Sequence, residues 1–289
     1  MLFTPGHRLE MIEKAGRSGT DAVIVDLEDA VSVANKPLAR SNLAELPHSP
    51  VPYYVRTNAV ETGLLWEDVE AAGVADVVGV VIPKAEDPAV ISEMDGTLTR
   101  LEKASGKPEG SVTVIPLIES ALGVRLTYEI ALASSRVECV MFGGGEQGDL
   151  VADLGVEWTP EGTGLMHARS QVLLSSRAAG VPYPMEAVFM DFRNLDALRV
   201  ESELARTLGY IGKVAIHPAQ VPVINDVFTP PADVVEYQRK VLAAFEEAEA
   251  AGEASIAVDG RMVDYAVARV ARTVIERAEV AARAGEEES

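Results

Sequence analysis

The apolar positions along this chain fall into two alternating rhythms. Short β-branched runs occur at Leu2–Thr4, Ala22–Glu28, Pro52–Asn58, Gly79–Glu86, Val112–Ser120, Glu138–Gly144, Met185–Asp191 and Lys213–Pro218. Between them lie segments with apolar residues at helical spacing: Arg8–Gly19, Leu64–Ala72, Pro88–Ala104, Gly123–Ala133, Met166–Ala179 and Leu195–Leu208. The strand runs are continuous rather than alternating, as in parallel strands whose outer face is covered by helices. Eight such runs alternating with helices predict an α/β protein, a closed (β/α)8 TIM barrel.

The pattern does not stop with the eighth run. A helix is predicted over Pro231–Glu249, then a Gly-containing turn, a short strand at Ala254–Val258 and a second helix over Met262–Ala284. This exceeds what an eighth barrel helix needs. The expected organisation is therefore a barrel catalytic domain over residues 1–230 and a C-terminal helical extension over 231–289 that covers a barrel mouth, its own or a neighbouring subunit's. The Glu-rich end, Gly285–Ser289, reads as a frayed tail.

Composition narrows the functions open to such a barrel. With 289 residues, 48% apolar and 24% charged, the chain has the material for a large core. A formal net charge of -20 leaves no general basic field for nucleic acid or an anionic membrane, so an anionic substrate needs a local cationic pocket. The one cysteine, Cys139, sits in an apolar run; it excludes an intramolecular disulfide and reads as a core residue. No run approaches the roughly eighteen apolar residues of a membrane span, and no basic-then-apolar leader opens the chain, so a cytoplasmic protein is expected.

Several strand runs end in polar residues: Asp26-Leu27-Glu28-Asp29, Arg56-Thr57-Asn58, Lys84-Ala85-Glu86, Glu119-Ser120 and His217-Pro218. In a (β/α)8 barrel these ends converge on the face where active sites are built. A carboxylate such as Glu119 at a buried strand end needs a partner. Asp149, after the sixth strand, supplies a second carboxylate, and the pair makes a typical Mg²⁺ site, with substrate oxygens and water completing the shell. The alternative is that Asp149 caps the next helix while Glu119 pairs with Arg or Lys; Asp153 reads as structural. Arg56 is placed to hold a carboxylate or an enolate oxygen, or else to partner Glu28 or Asp29. Lys84 is placed to neutralise a phosphate, to pair with Glu86 or to form a Schiff base. His217 reads as a wall or hydrogen-bonding residue, and Gly143-Gly144-Gly145 as a flexible connection rather than a nucleotide loop.

Taken in order, these stretches resemble the citrate lyase β-subunit-like (HpcH/HpaI aldolase/citrate lyase) family of acyl-CoA lyases over nearly the whole chain. The matching stretches include Leu2-Phe3-Thr4-Pro5-Gly6-His7-Arg8, Ala22 to Val31 with Lys36 and Arg40, Val55-Arg56-Thr57-Asn58, Pro83-Lys84-Ala85-Glu86, Leu117-Ile118-Glu119-Ser120, Asp149 to Gly155, Gly212 to Pro218 and Gly260-Arg261-Met262-Val263-Asp264. The resemblance implies that Glu119 and Asp149 bind Mg²⁺ and that Arg56 contacts the reacting carboxylate or carbonyl. It implies that Asp264 enters a neighbouring subunit's site as acid or base, in a homotrimer or a dimer of trimers. Arg8, Lys36, Arg40 and Lys84 are the candidates for meeting substrate or CoA. The reaction implied is cleavage of a short 3-hydroxyacyl-CoA, such as citramalyl-CoA or malyl-CoA, to an acyl-CoA and a 2-oxoacid (pyruvate or glyoxylate). The alternatives are a citrate lyase β subunit acting on a carrier-bound citryl thioester and a non-catalytic acyl-CoA or 2-oxoacid binding protein. The sequence departs from the family in one place. Gly144 to Gly148 lengthen the link before Asp149, which makes Glu146 an alternative metal ligand.

Overall fold

The computed structural model describes residues 1–159, 161–186 and 188–287, with side chains described through Ala282. Chain contacts divide it into two compact units, Met1–Ile224 and one that begins at Asn225. Among the described residues no helix is long and apolar enough to cross a membrane.

In chain order the first unit holds β1 (Leu2–Pro5), α1 (Leu9–Ala15), β2 (Val23–Asp26), α2 (Lys36–Ser41), β3 (Tyr53–Arg56), α3 (Leu65–Val74), β4 (Gly79–Ile82), α4 (Pro88–Ser105) and β5 (Thr113–Ile118). It continues with α5 (Ala121–Leu132), β6 (Cys139–Phe142), α6 (Asp149–Leu154), α7 (Met166–Ala178), β7 (Tyr183–Glu186), α8 (Leu195–Leu208) and β8 (Gly212–Lys213), and the boundary between the units falls within α9 (Val221–Phe228). The eight strands form one sheet in sequence order, each neighbouring pair parallel. A parallel bridge between Leu2 and Ala215 returns the chain to its first strand, with Phe3 N–H donating to Ala215 O and Ala215 N–H to Met1 O, both at 2.9 Å. The expected (β/α)8 barrel is the observed fold.

Strand periodicity explains both the core and the site. Ile24, Val81, Ile115, Leu117, Cys139, Met141 and Val214 form one buried cluster, which Tyr54 packs against. Side chains two residues further along a strand share its face. Ile24 is thus followed by Asp26, Tyr54 by Arg56 and Leu117 by Glu119. The apolar plug gives way to charge where these strands run out. On the outer side, α7 and α8 are tied to the strands by buried charges: Arg169 contacts Glu186 at 2.9 Å and Glu201 at 3.3 Å, and Lys213 lies 2.9 Å from Glu201. Two cations and two carboxylates leave this buried group neutral, the condition for keeping it out of water.

Most strands are shorter than the predicted runs, the fourth ending at Ile82 rather than Glu86, and three further boundaries shift. The eighth strand ends at Lys213 rather than Pro218, because His217 and Gln220 make a capping box that starts a helical turn: His217 Nδ1 accepts from Ala219 N–H, and Gln220 Oε1 accepts from Ile216 and His217 N–H. The seventh strand starts at Tyr183 and ends at Glu186; Ala187, inside the predicted run, lies outside the described residues. The third shift is in the second unit, which contains α10 (Ala232–Ala250), β9 (Ser255–Val258), β10 (Arg261–Asp264) and α11 (Tyr265–Glu287). Residues 262–264, predicted as the first turn of a helix, instead pair antiparallel with β9, together with Arg261. Asp259 and Gly260, at φ 49° and 76°, form the two-residue turn between them. Two successive left-handed residues are what a tight hairpin requires, and Asp-Gly supplies them. The helix runs on through Gly285 to Glu287, within the segment expected to fray; residues 288 and 289 lie outside the described residues. Val241, Phe245, Val258, Val263, Ala268 and Ala271 make this unit's own core.

Candidate functional site

A cavity of about 940 Å³ opens at the carboxyl ends of the strands. Asp26, Arg56, Lys84, Glu119 and Asp149 line it, together with Phe3 of β1, Lys14 of α1, the loop residues Glu146 and Gln147, and His217.

At its floor lies an ion-pair network around Arg56. The Nε and Nη2 of Arg56 donate to the two Asp26 oxygens, each at 2.7 Å, and Nη1 lies 2.9 Å from Glu28 Oε2. The ring of Phe3 covers one guanidinium face, 4.6 Å from its centroid. A bidentate carboxylate on one edge and an aromatic ring on one face leave the guanidinium little freedom, so it faces the cavity pre-oriented. The surrounding carboxylates hold its pKa above the ordinary value despite burial.

Carboxylates outnumber cations here, and burial, ion pairing and hydrogen bonding move their pKa values in different directions. Asp26 is fully buried, yet Arg56 and two backbone N–H donors, from Glu28 and Ala30, hold it below the ordinary value. Glu28 has no such donor set. Burial lifts its carboxyl to about 8, and repulsion from Asp29, Glu119 and Asp26 adds to the rise, while Arg56 opposes it. Burial lifts Glu119 to about 7 against the pull of the Lys84 backbone N–H, which donates to Glu119 Oε1 at 2.9 Å. Glu119 is also hemmed in sterically. A Cβ on Gly143 would lie 2.6 Å from Glu119 Cβ, so glycine is required where β6 passes it.

Asp149, which opens α6, also lines the cavity, about half exposed, with Lys84 Nζ 3.6 Å from its Oδ1. The lengthened link before it folds as a turn in which Gly148 N–H donates to Gly145 O at 3.0 Å and Gln147 takes φ 59°. That turn leaves Glu146 on the cavity wall beside Asp149. Among the described residues no three His, Cys, Asp or Glu side chains are gathered into a metal cage. The donor set fits a different kind of ion. A hard divalent cation that takes one or two protein carboxylates and keeps its remaining positions for water and substrate would favour the ionised form of Glu119 against the desolvation that raises it.

The remaining sequence-predicted residues separate. Lys84 lines the cavity; Arg8, Lys36 and Arg40 are not among its lining residues. Lys36 Nζ donates to Leu27 O and Glu28 O at 2.9 Å and to Asn58 Oδ1, tying the end of β2 to that of β3. Arg40 is held by Asp68 at 2.8 Å and Glu67 at 2.7 Å, and exposed Arg8 by Glu10 at 3.0 Å. His217 stacks on Phe192 at 4.7 Å. Asp153 Oδ2 accepts from Ala121 N–H at 2.7 Å. Asp264 lies in the second unit, where its Oδ1 accepts from Ala266 and Val267 N–H at 3.0 and 3.1 Å and so caps α11. Reading the sequence alone missed Lys14, Phe3 and the clamp role of Asp26. The signals were present: Met11, Lys14 and Ala15 share one helix face by spacing, and Asp26 shares the inward face with Ile24.

Comparison with known proteins places this geometry. The family model for HpcH/HpaI aldolase/citrate lyase matches residues 1–218. The citrate lyase subunit beta of Leuconostoc mesenteroides subsp. cremoris is 33% identical over 282 residues, covering 96% of this chain and 92% of that protein. The L-malyl-CoA/beta-methylmalyl-CoA lyase of Rhodobacter capsulatus is 33% identical over 304 residues, covering 97% and 94%. A crystal structure of the protein CitE from Mycobacterium tuberculosis, in complex with magnesium, acetoacetate and coenzyme A, superposes with a TM-score of 0.76 at 33% identity, covering 96% of this chain and 97% of that one. The chain belongs to the HpcH/HpaI aldolase/citrate lyase family, a family of carbon–carbon lyases.

Proposed function

We propose that this protein is a Mg²⁺-dependent CoA-ester lyase that cleaves a short 3-hydroxyacyl-CoA, such as citramalyl-CoA or malyl-CoA, into an acyl-CoA and a 2-oxoacid. The observation that carries the reading is the half-buried carboxylate of Glu119 just past the end of β5, lining the same cavity as the clamped Arg56 and Asp149. Its support from kinship is that relatives named as lyases align over nearly the whole chain.

Glu119 and Asp149 would hold Mg²⁺, with Glu146 the alternative to Asp149. When bound, the ion supplies Lewis-acid polarisation of substrate oxygens. In the cleavage direction the substrate hydroxyl gives its proton to solvent, its oxygen becomes the carbonyl of the 2-oxoacid as the adjacent carbon–carbon bond breaks, and the electron pair of that bond moves onto the thioester as an enolate. Arg56 offsets the charge developing on oxygen, and the Asp26 clamp fixes it so that no reorganisation is needed during the reaction. The enolate carbon then takes a proton, the role assigned to Asp264 of a neighbouring subunit in a homotrimer or dimer of trimers. Lys14, on the cavity wall, is a further cation available to a CoA phosphate or the substrate carboxylate.

The test is release of acetyl-CoA or propionyl-CoA and a 2-oxoacid from a small panel of CoA esters, citramalyl-CoA and malyl-CoA included, with Mg²⁺ and with EDTA. Metal-dependent cleavage of one member supports the reading and names the acyl group. A folded protein that cleaves none of them contradicts it and favours the carrier-bound citryl thioester, for which the citrate lyase β relatives are the specific reason.

A further inference from the structure

Lys84 stands where β4 runs out, and its backbone is left-handed, φ 47°, a conformation that residues with a side chain rarely hold without a structural reason. The reason is visible in its neighbours. The turn aims Lys84 N–H at Glu119 Oε1, 2.9 Å away, while Ala85 N–H returns to Leu117 O at 3.1 Å. The side chain leaves toward a second carboxylate: Nζ lies 3.6 Å from Asp149 Oδ1 and 3.5 Å from Glu61 Oε1. One residue therefore addresses both carboxylates assigned to the ion, Glu119 through its backbone and Asp149 through its ammonium.

The two contacts differ in kind. The N–H to Glu119 is a well-formed hydrogen bond. The ammonium sits outside hydrogen-bond length from both its partners, on a side chain 35% exposed, and so acts as a loose counter-charge that is free to swing away. A divalent cation bonded to the same Asp149 oxygen at about 2.1 Å would be repelled by an ammonium held that close.

We propose that Lys84 is a positioning residue with two opposed parts: its backbone fixes Glu119, and its ammonium is the resident counter-ion of Asp149, which must give way when Mg²⁺ binds. Lys84 thereby lowers the affinity for the ion, and its displaced ammonium becomes a free cation on the cavity wall for an anionic substrate. The proposal rests on the Mg²⁺ reading above.

Calorimetric titration of Mg²⁺ into the protein without substrate tests it, comparing wild type with Lys84→Met, Lys84→Arg and Lys14→Met, the last altering another cation that lines the cavity. Lys84→Gln serves the same comparison if Lys84→Met does not fold. The expected result is binding about fivefold tighter in Lys84→Met, with Lys84→Arg and Lys14→Met within about twofold of wild type. Unchanged or weaker binding in Lys84→Met, or equal tightening in Lys84→Arg or Lys14→Met, overturns the role of Lys84 and leaves the metal reading standing. No Mg²⁺ binding by the wild-type protein overturns both.

Discussion

At the scale of single residues the site is governed by a competition for one guanidinium. Asp26 takes Arg56 bidentately and stays ionised; Glu28 keeps a single approach at 2.9 Å, and burial pushes it up to about 8. Below the ordinary glutamate value of 4.5 this carboxyl is protonated both folded and unfolded, and between there and about 8 the folded protein holds a proton that the unfolded chain has released. Stability therefore falls as pH rises through that window. Unfolding in EDTA, compared between wild type and Glu28→Gln, should show wild type losing roughly 1–3 kcal/mol relative to the variant between pH 5 and 8. A difference that stays flat with pH contradicts the assignment. Part of this was legible in the sequence: Arg56 and Glu119 stand at the ends of apolar strand runs and were singled out on that ground. Which of Asp26, Glu28 and Asp29 captures Arg56 was not, because it depends on alternation across two strands and on two backbone donors that turn toward Asp26. Nor does any local pattern announce that Lys84 leaves the β region.

Among the elements, the alternation of strands and helices was readable because each rhythm is imposed by burial, continuous for a strand covered on its outer face and 3.6-periodic for a helix. Boundaries were less readable where turn chemistry overrides apolar spacing. Met262 and Val263 extend the helical spacing of α11 backward, yet Asp259-Gly260 closes a hairpin and assigns them to β10. This places Asp264 at a junction where it ends a strand and caps α11 through Oδ1. A structural and a catalytic role for it are separable, because asparagine caps a helix about as well as aspartate but does not serve as an acid. Asp264→Asn should keep wild-type thermal stability within about 0.5 kcal/mol, whereas Asp264→Ala loses about 1 kcal/mol with the cap. If Asp264 carries the proton, both variants lose turnover by about 100-fold or more. An asparagine variant with wild-type turnover would confine Asp264 to its capping role.

For the whole molecule, the barrel solves a problem that the composition poses. A chain with a net charge of -20 has no general attraction for an anionic thioester, and the fold answers by directing Arg56, Lys84 and Lys14 into one cavity while Lys36 and Arg40 serve local ties. Glu119 and Asp149 line the same cavity, and the proposed function stands on their being one site with one chemistry. The most direct test is CoA-ester cleavage by Glu119→Gln, run beside wild type with Mg²⁺ and with EDTA, after circular dichroism has verified the fold. The account predicts that wild type turns over with Mg²⁺ and stops in EDTA, while Glu119→Gln neither binds Mg²⁺ measurably nor retains more than about a hundredth of the turnover. A folded Glu119→Gln protein that keeps metal-dependent cleavage would contradict it.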